Sequence, residues 1–498
     1  MTGRPTAVVA ADGPASAGLP IALVCAGCGY RVPDDRAFLA RCPQARDGDD
    51  IDHVLRRIVD TGRSAFPQVA EPATFVRYRT LLRGYHVARA AGWPDDRLVG
   101  LIRRLDEAVA LVDGHGFLET PFEPAPVLAA RIGLGDKGVW IKDETGNVAG
   151  SHKARHLMGA MLELQIDEGL RADRGLRPGA RPARLAIASC GNAALAAAVI
   201  ARAAERPLDV FVPTWADASV VDRLAKLGAA VVTCPRAPGE TGDPTYRRLR
   251  EAVAGGAIPF TCQGDLNGLA IEGGETLGYE MVARLAGIGS PPGVPTRQGR
   301  PRLDAVVVQV GGGALASAVA AAFAEARALG ILDREPRLYA VQTEGCAPLA
   351  RAWDRLRARA ATEGMTSALG HARRHRSTYM WPWETEPTSL AHGILDDETY
   401  DWLAVLEAVQ RTDGDVVVVD EVTIGQANEI ARTTTDIAAD HTGTAGLAGL
   451  LALRRSGAIR PGESVAVLFT GARREEGPGI ASDRSAPGIT EPGERSTR

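Results

Sequence analysis

Only four of the 57 basic side chains in this sequence are lysines: Lys137, Lys142, Lys153 and Lys226. Arginine serves wherever a solvated positive charge is enough, but it cannot lose its proton and attack a carbonyl as a primary amine can. Nucleophilic amine chemistry therefore has four candidates. Lys153 stands in Asn147-Val-Ala-Gly150-Ser151-His152-Lys153-Ala-Arg155. Gly150 allows a tight turn and Ser151 is a candidate helix N-cap. Leu157, Met158, Met161, Leu162 and Leu164 then give a helix with a buried face. Lys153 falls in its first turn, at the positive end of the helix dipole, where a neutral amine is easier to reach.

Three further segments pair an apolar run with polar or glycine residues where the run ends. Ser189-Cys190-Gly191-Asn192 lies between the run Arg184–Ser189 and an Ala-rich helix. Its backbone N–H groups suit an anion such as a substrate carboxylate. Gly311-Gly312-Gly313-Ala314-Leu315 follows the run Leu303–Val310. Three glycines let the backbone fold closely around a phosphate. The pattern is neither Gly-x-Gly-x-x-Gly, since Ala316 takes the last place, nor a Walker loop. A nicotinamide-binding fingerprint is thereby excluded. Thr470, after Ser464–Phe469, offers a neutral hydroxyl at a strand end. Each segment alone also fits a capped surface helix or an ordinary turn.

The elements that position these segments alternate along the chain. Apolar runs at 184–189, 209–213, 229–234, 303–310, 337–342, 415–419 and 464–469 are separated by helical patterns such as Asp217–Leu227. This predicts α/β architecture with parallel sheets flanked by helices, and ligands beyond the carboxyl ends of the strands. The 498 residues correspond to about three domain-equivalents. With 45% hydrophobic residues and a net charge of −4, nothing global points to nucleic acid or an acidic membrane as partner. No secretory h-region or membrane-length apolar run is present, and seven scattered cysteines fit a reduced, cytoplasmic setting.

A reactive lysine, a phosphate cradle, a carboxylate-binding turn and a strand-end hydroxyl together form the set that pyridoxal phosphate requires. On these motifs the chain resembles the fold-type-II pyridoxal-phosphate enzymes, and among them the threonine synthases above all. Asn147 to Arg155 is similar to that family's Asn-Pro-Thr-Gly-Ser-Phe-Lys-Asp-Arg run. Ile271-Glu-Gly-Gly-Glu-Thr-Leu-Gly-Tyr-Glu280 and Ser389-Leu-Ala-His-Gly-Ile394 are similar to two others, in the same order. The resemblance implies that Lys153 binds the cofactor covalently and moves protons. It also implies that Asn192 lies by the cofactor's 3′ oxygen, Gly311 to Leu315 hold its phosphate, and Thr470 faces the pyridine nitrogen. His152 resembles a histidine that neighbours the phosphate in tryptophan synthase β subunits. A neutral hydroxyl at the pyridine nitrogen makes the cofactor a weaker electron sink than a carboxylate would. Elimination or replacement at the β or γ carbon is then favoured over transamination.

The implied activity is that of a lyase acting on an activated amino acid, with O-phosphohomoserine the leading substrate. A serine or threonine ammonia-lyase or a β-replacement enzyme is the alternative. Ala154, Val148-Ala149 and His392 depart from the family pattern, so a non-catalytic ligand-binding member is a further alternative. The resemblance implies a two-lobed fold and a homodimer. The expected division is a flexible N-terminus (1–20), a zinc-ribbon-like extension (21–70), a large lobe (71–154 with 256–474), a small lobe (155–255) and a disordered tail (475–498). Cys25-x-x-Cys28, Cys42 and His53 resemble the zinc-ribbon start of some threonine synthases. The place three after Cys42 is Ala45, leaving one thiolate missing, so the reading favours a metal-free relic over bound zinc. His371 to Trp383, basic and aromatic, could close over an anionic substrate, but the favoured reading is a solvated, irregular insertion.

Overall fold

The computed structural model describes residues 18–46, 48–135, 138–176, 182–237, 242–289 and 302–473. Lys137, nearly all of the expected flexible N-terminus, the tail and most of the loop near 286–302 lie outside them. Two short strands come first, β1 (Ile21–Cys25) and β2 (Leu55–Val59), paired antiparallel from Ile21↔Val59 to Cys25↔Leu55. The other strands are β3 (Phe122–Pro124), β4 (Val139–Asp143), β5 (Leu185–Ala188), β6 (Leu208–Pro213), β7 (Ala230–Cys234), β8 (Ile258–Pro259), β9 (Ala305–Gln309), β10 (Arg337–Thr343), β11 (Asp415–Val419) and β12 (Val465–Phe469). They build a four-stranded parallel sheet, β7-β6-β5-β8, and a six-stranded sheet, β11-β10-β9-β12-β4-β3. Only β3 runs antiparallel in the latter.

The reason for two covered sheets is visible in the strands. β9 (AVVVQ) and β12 (VAVLF) are buried at all five positions, so both faces need helices. Apolar clusters lie on each face of the larger sheet, one around Val306, Val308 and Leu468, the other around Ile141, Val307 and Val467. The core of the smaller sheet also takes residues from well before it, Ile102, Leu105 and Val109 of helix Asp95–Asp113. Helices Lys153–Asp173 and Ala270–Ala286 pack at glycines: a Cβ on Gly159 would lie 2.6 Å from Gly273 Cα. The Ile271–Glu280 segment is thus a packing element.

The β1–β2 unit is bolted to the larger lobe. Arg57 donates to Glu272 (2.9 Å), Glu325 (2.7 Å) and Tyr279 (2.8 Å), and Trp402 Nε1 donates to Asp52 (3.1 Å). The segment 371–383 takes part in this fastening and is not the solvated insertion the sequence suggests. Arg373 pairs with Glu407 (2.7 Å), Arg376 with Glu398 (2.6 Å), and Arg351 stacks on the Trp381 ring (3.7 Å). Charge density alone misleads there because the compensating carboxylates come from distant elements. Among the described residues no helix is long and apolar enough to cross a membrane.

Candidate active site

β4 ends at Asp143, and the following loop is wound tightly. Asn147 Oδ1 accepts from Val148 N–H (2.8 Å), and its amide donates to Glu144 (2.8 Å). Ala149 and Gly150 both take positive φ, 56° and 70°, and Asp113 holds the Ala149 N–H at 2.7 Å. Gly150 and Ser151 are then stitched to the end of β12: Ser151 bridges Gly471, and Ala472 N–H donates to Gly150 O (2.9 Å). The helix begins at Lys153 as expected, but His152 holds the cap position and Ser151 does not cap it. Ser151 is extended (φ −164°), which carries its hydroxyl away from the helix axis and leaves Oγ buried without a partner.

Of the described lysines, only Lys153 is placed for chemistry. Lys142 is fully buried and paired with Glu280 at 2.6 Å. Lys226 is exposed on its own helix and paired with Asp222. Around Lys153 stand His152, His156, Cys262 and Asp396, each of which feels its charge. Burial, and then Lys153, pushes the His152 imidazole well below its ordinary value, and His156 likewise to about 3. Both rings are neutral at neutral pH. His152 Nδ1 faces Thr470 O at 3.3 Å.

Thr470 is 2% exposed, at the carboxyl end of β12. Its hydroxyl accepts from Gln309 Nε2 at 2.7 Å. The same Nε2 faces the carbonyls of Thr442 (3.1 Å), Gly443 (3.0 Å) and Leu468 (3.2 Å), a ring of acceptors that fixes the amide orientation. The Thr470 hydroxyl therefore keeps its own proton for an acceptor in the site. Gln309 was missed from sequence, although it is the one polar residue in an apolar strand.

The turn after β5 leads into helix Asn192–Ala203. Asn192 reaches the β12 end: a Cβ on Gly471 would lie 2.9 Å from its Nδ2. Ser189 Oγ lies 3.4 Å from Gly191 N–H. Burial pushes the Cys190 thiol up to about 11, with Asp243 and Asp396 adding to it, so it is no thiolate nucleophile. The triple glycine follows β9. Gly313 has φ 95°, and a Cβ on Gly311 would meet Asp396 and come within 2.9 Å of Ile394 Cα. Ala314 is buried in the same apolar cluster as Ala154 and Ala194, which joins this loop to the Lys153 helix and the Asn192 helix. Leu315 is also buried.

The donor set fits pyridoxal phosphate. The Gly312 N–H bonds to the Asp396 carboxyl, which burial pushes above its ordinary value, and a Cβ on Gly311 would fill the cradle. Thr470 presents a donor, Ser151 an unpartnered buried hydroxyl, and Lys153 a primary amine at the start of its helix. Gly311→Ala is expected to push the Ile394 and Asp396 backbone off the loop. It should weaken cofactor affinity about tenfold or more, measured by titration of apoprotein.

Cys25, Cys28, Cys42 and His53 also converge. His53, 11 residues past Cys42, stands where the cysteine spacing lacks a fourth thiolate.

Comparisons with known proteins bear on the family and the fold. Residues 115–471 match a family model described as pyridoxal-phosphate dependent enzyme. Threonine synthase of Synechocystis sp. is 26% identical over 368 residues, 73% of this chain and 77% of that protein. L-threonine ammonia-lyase of Thermotoga maritima is 26% identical over 314 residues, 63% of this chain and 62% of that protein. In fold, the chain is similar to threonine deaminase isoform 2 from Solanum lycopersicum (TM-score 0.52, 20% identity, 77% of this chain and 92% of that one). It is equally similar to diaminopropionate ammonia lyase from Escherichia coli (TM-score 0.52, 16% identity, 76% and 88%). With its α/β sheets, its glycine loop and Lys153 at the head of its helix, the chain belongs to the pyridoxal-phosphate dependent enzymes of fold type II.

Proposed function

We propose that this chain is a lyase that catalyses elimination or replacement at the β or γ carbon of an activated amino acid, with O-phosphohomoserine as the leading substrate and threonine as its product. The observation that carries the reaction class is the Gln309–Thr470 hydrogen bond (2.7 Å) at the end of β12. When bound, pyridoxal phosphate supplies an electron sink beside the substrate's amine. The Thr470 hydroxyl, whose oxygen accepts from Gln309, has its own proton free and would offer it to the ring nitrogen. A neutral donor there would not hold that nitrogen protonated as a carboxylate would, which would temper the sink and suit reactions in which a leaving group carries the charge away.

The other residues have separable jobs in this reading. The Lys153 amine holds the cofactor and moves protons at the substrate's carbons. The N–H groups of Gly311 to Leu315 bind the phosphate, and those of Ser189 to Asn192 the substrate carboxylate. The neutral His152 ring braces the Thr470 backbone without adding charge. Gln309→Leu is expected to lower kcat about 5- to 100-fold, since a buried hydrogen bond to the hydroxyl is lost. Gln309→Glu should do more harm, because a carboxylate would draw the Thr470 proton away from the cofactor. Equal activity in both variants would refute the assigned donor direction.

A specific observation favours the alternative, a serine or threonine ammonia-lyase. Burial, with the nearby Asp243 adding to it, raises both Asp396 and Asp397, the latter to about 6. Carboxylates at the turn repel a phosphoryl leaving group and accommodate a neutral hydroxyl. Steady-state assays with O-phosphohomoserine, threonine and O-substituted serines distinguish the two. Threonine formed from O-phosphohomoserine supports the first, and oxo-acid release from threonine or serine the second. No turnover of any of them sinks both. We further expect a homodimer, tested by light scattering.

A further inference from the structure

We propose that Cys25, Cys28, Cys42 and His53 form a closed, structural zinc site. Their ligand atoms all lie within 4.8 Å of one another. Cys25 Sγ is 3.4 Å from His53 Nδ1, and Cys28 Sγ is 3.6 Å from Cys42 Sγ. Four ligands at ordinary zinc distances, arranged as a tetrahedron, have S···S edges of about 3.8 Å and S···N edges of about 3.6 Å. Both observed edges lie within about 0.2 Å of those lengths.

Two further observations point to a cation rather than to four residues meeting by packing. The first is the other side of the histidine. His53 Nε2 faces Asp49 Oδ2 at 3.2 Å, and Asp49 is itself held by the N–H groups of Arg46 (2.9 Å) and Ile51 (3.0 Å). A carboxylate on Nε2 places the ring proton there and leaves the Nδ1 lone pair aimed at the three sulfurs. That arrangement is the usual outer support of a metal-bound histidine. The second is the backbone around the sulfurs. Cys28 N–H points at Cys25 Sγ (3.5 Å), and the Gln44 N–H bonds the Cys42 sulfur. Such donors stabilise sulfur carrying negative charge. The turn is sterically exact as well: a Cβ on Gly27 would lie 2.5 Å from Ile51 Cγ2 and 2.6 Å from Asp52 O.

Three thiolates and a neutral imidazole select a soft, tetrahedral divalent ion. Binding releases the thiol protons to water. Four protein ligands leave no open position, so the site's role is structural. It closes the loop from Cys25 to His53, whose neighbour Asp52 accepts from Trp402 Nε1 and lies beside Arg376. The ion would thus lock the β1–β2 unit onto the lobe that carries the triple glycine.

The test uses the full-length holoenzyme. Elemental analysis after gel filtration should find near-stoichiometric zinc. The reduced, metal-stripped chain titrated with Co²⁺ should develop intense tetrahedral ligand-field and sulfur charge-transfer bands at one equivalent. Asp49→Asn should weaken metal affinity about tenfold or more while keeping all four ligands. Cys28→Ser should lose the cobalt spectrum, and Cys234→Ser should keep it. The proposal is overturned if neither zinc nor cobalt binds stoichiometrically to the unmodified reduced chain. It is also overturned if a Cys28–Cys42 disulfide is found in place of metal, or if Cys28→Ser retains the parent's metal. The cobalt titration needs no variant and no turnover, so it decides the matter even if the mutants misfold or the proposed reaction is wrong.

Discussion

Lys153→Ala is expected to abolish turnover and, in the same protein, the near-visible absorbance of the bound cofactor. The loss in kcat should be at least about 10³-fold, because one amine both holds the cofactor and transfers protons. The structure offers no substitute among the described residues. Lys142 is 0% exposed and locked to Glu280, and Lys226 lies on an exposed helix paired with Asp222. Lys153→Arg should be as inactive as Lys153→Ala, since a guanidinium stays protonated and cannot attack an aldehyde. Lys226→Ala should behave as the parent. Circular dichroism and thermal midpoints would establish that the Lys153 variants are folded, because the side chain closes no ion pair in the core. A cofactor absorbance band surviving intact in folded Lys153→Ala would refute both the attachment point and the reaction built on it.

Much of this site is legible in the sequence because its parts are local. The Lys153 loop, the Ser189–Asn192 turn, the triple glycine and Thr470 each consist of a strand end plus the next few residues. β5, β9, β11 and β12 fall within the apolar runs that announce them. What the sequence hides is pairing over long separations. Gln309 orients Thr470 from 161 residues away. Asp396 reaches the glycine loop from a segment without regular structure. His53 is legible beside the three cysteines, but its Nδ1 contact with Cys25 Sγ, 28 residues away, is not. The Ser151 cap fails for another reason: two consecutive positive-φ residues turn the chain so that Ser151 pairs with β12. Local capping preference loses there to a tertiary backbone contact.

The same long-range logic produces the largest expected loss of stability. Lys142, Glu144, Arg155 and Glu280 form a buried network of two positive and two negative charges. Lys142 Nζ lies 2.6 Å from Glu280, and Arg155 lies 2.8 Å from both Glu280 and Glu144. Burial works against the Glu280 carboxylate, yet Arg155 and Lys142 outweigh it and hold the group down to about 2. Glu280→Gln leaves the two cations sharing one carboxylate in a dry core and should cost about 3–5 kcal/mol in denaturant unfolding. The sign of the pH effect follows. A folded value below the ordinary 4.5 contributes stability that is complete above about pH 4.5 and lost as pH falls toward 2. The parent should therefore destabilise through that window, while Glu280→Gln, already weakened, should change less. Charge balance supplies a sharper test. Lys142→Met with Glu280→Leu removes one charge of each sign and leaves Arg155 facing Glu144 alone. The double variant should be more stable than Glu280→Leu, although it carries the larger change in sequence. A double variant no more stable than the single one would mean that shape, not charge neutrality, governs this core. It would also remove the reason for expecting Arg155, two residues past Lys153, to anchor the reactive end of its helix.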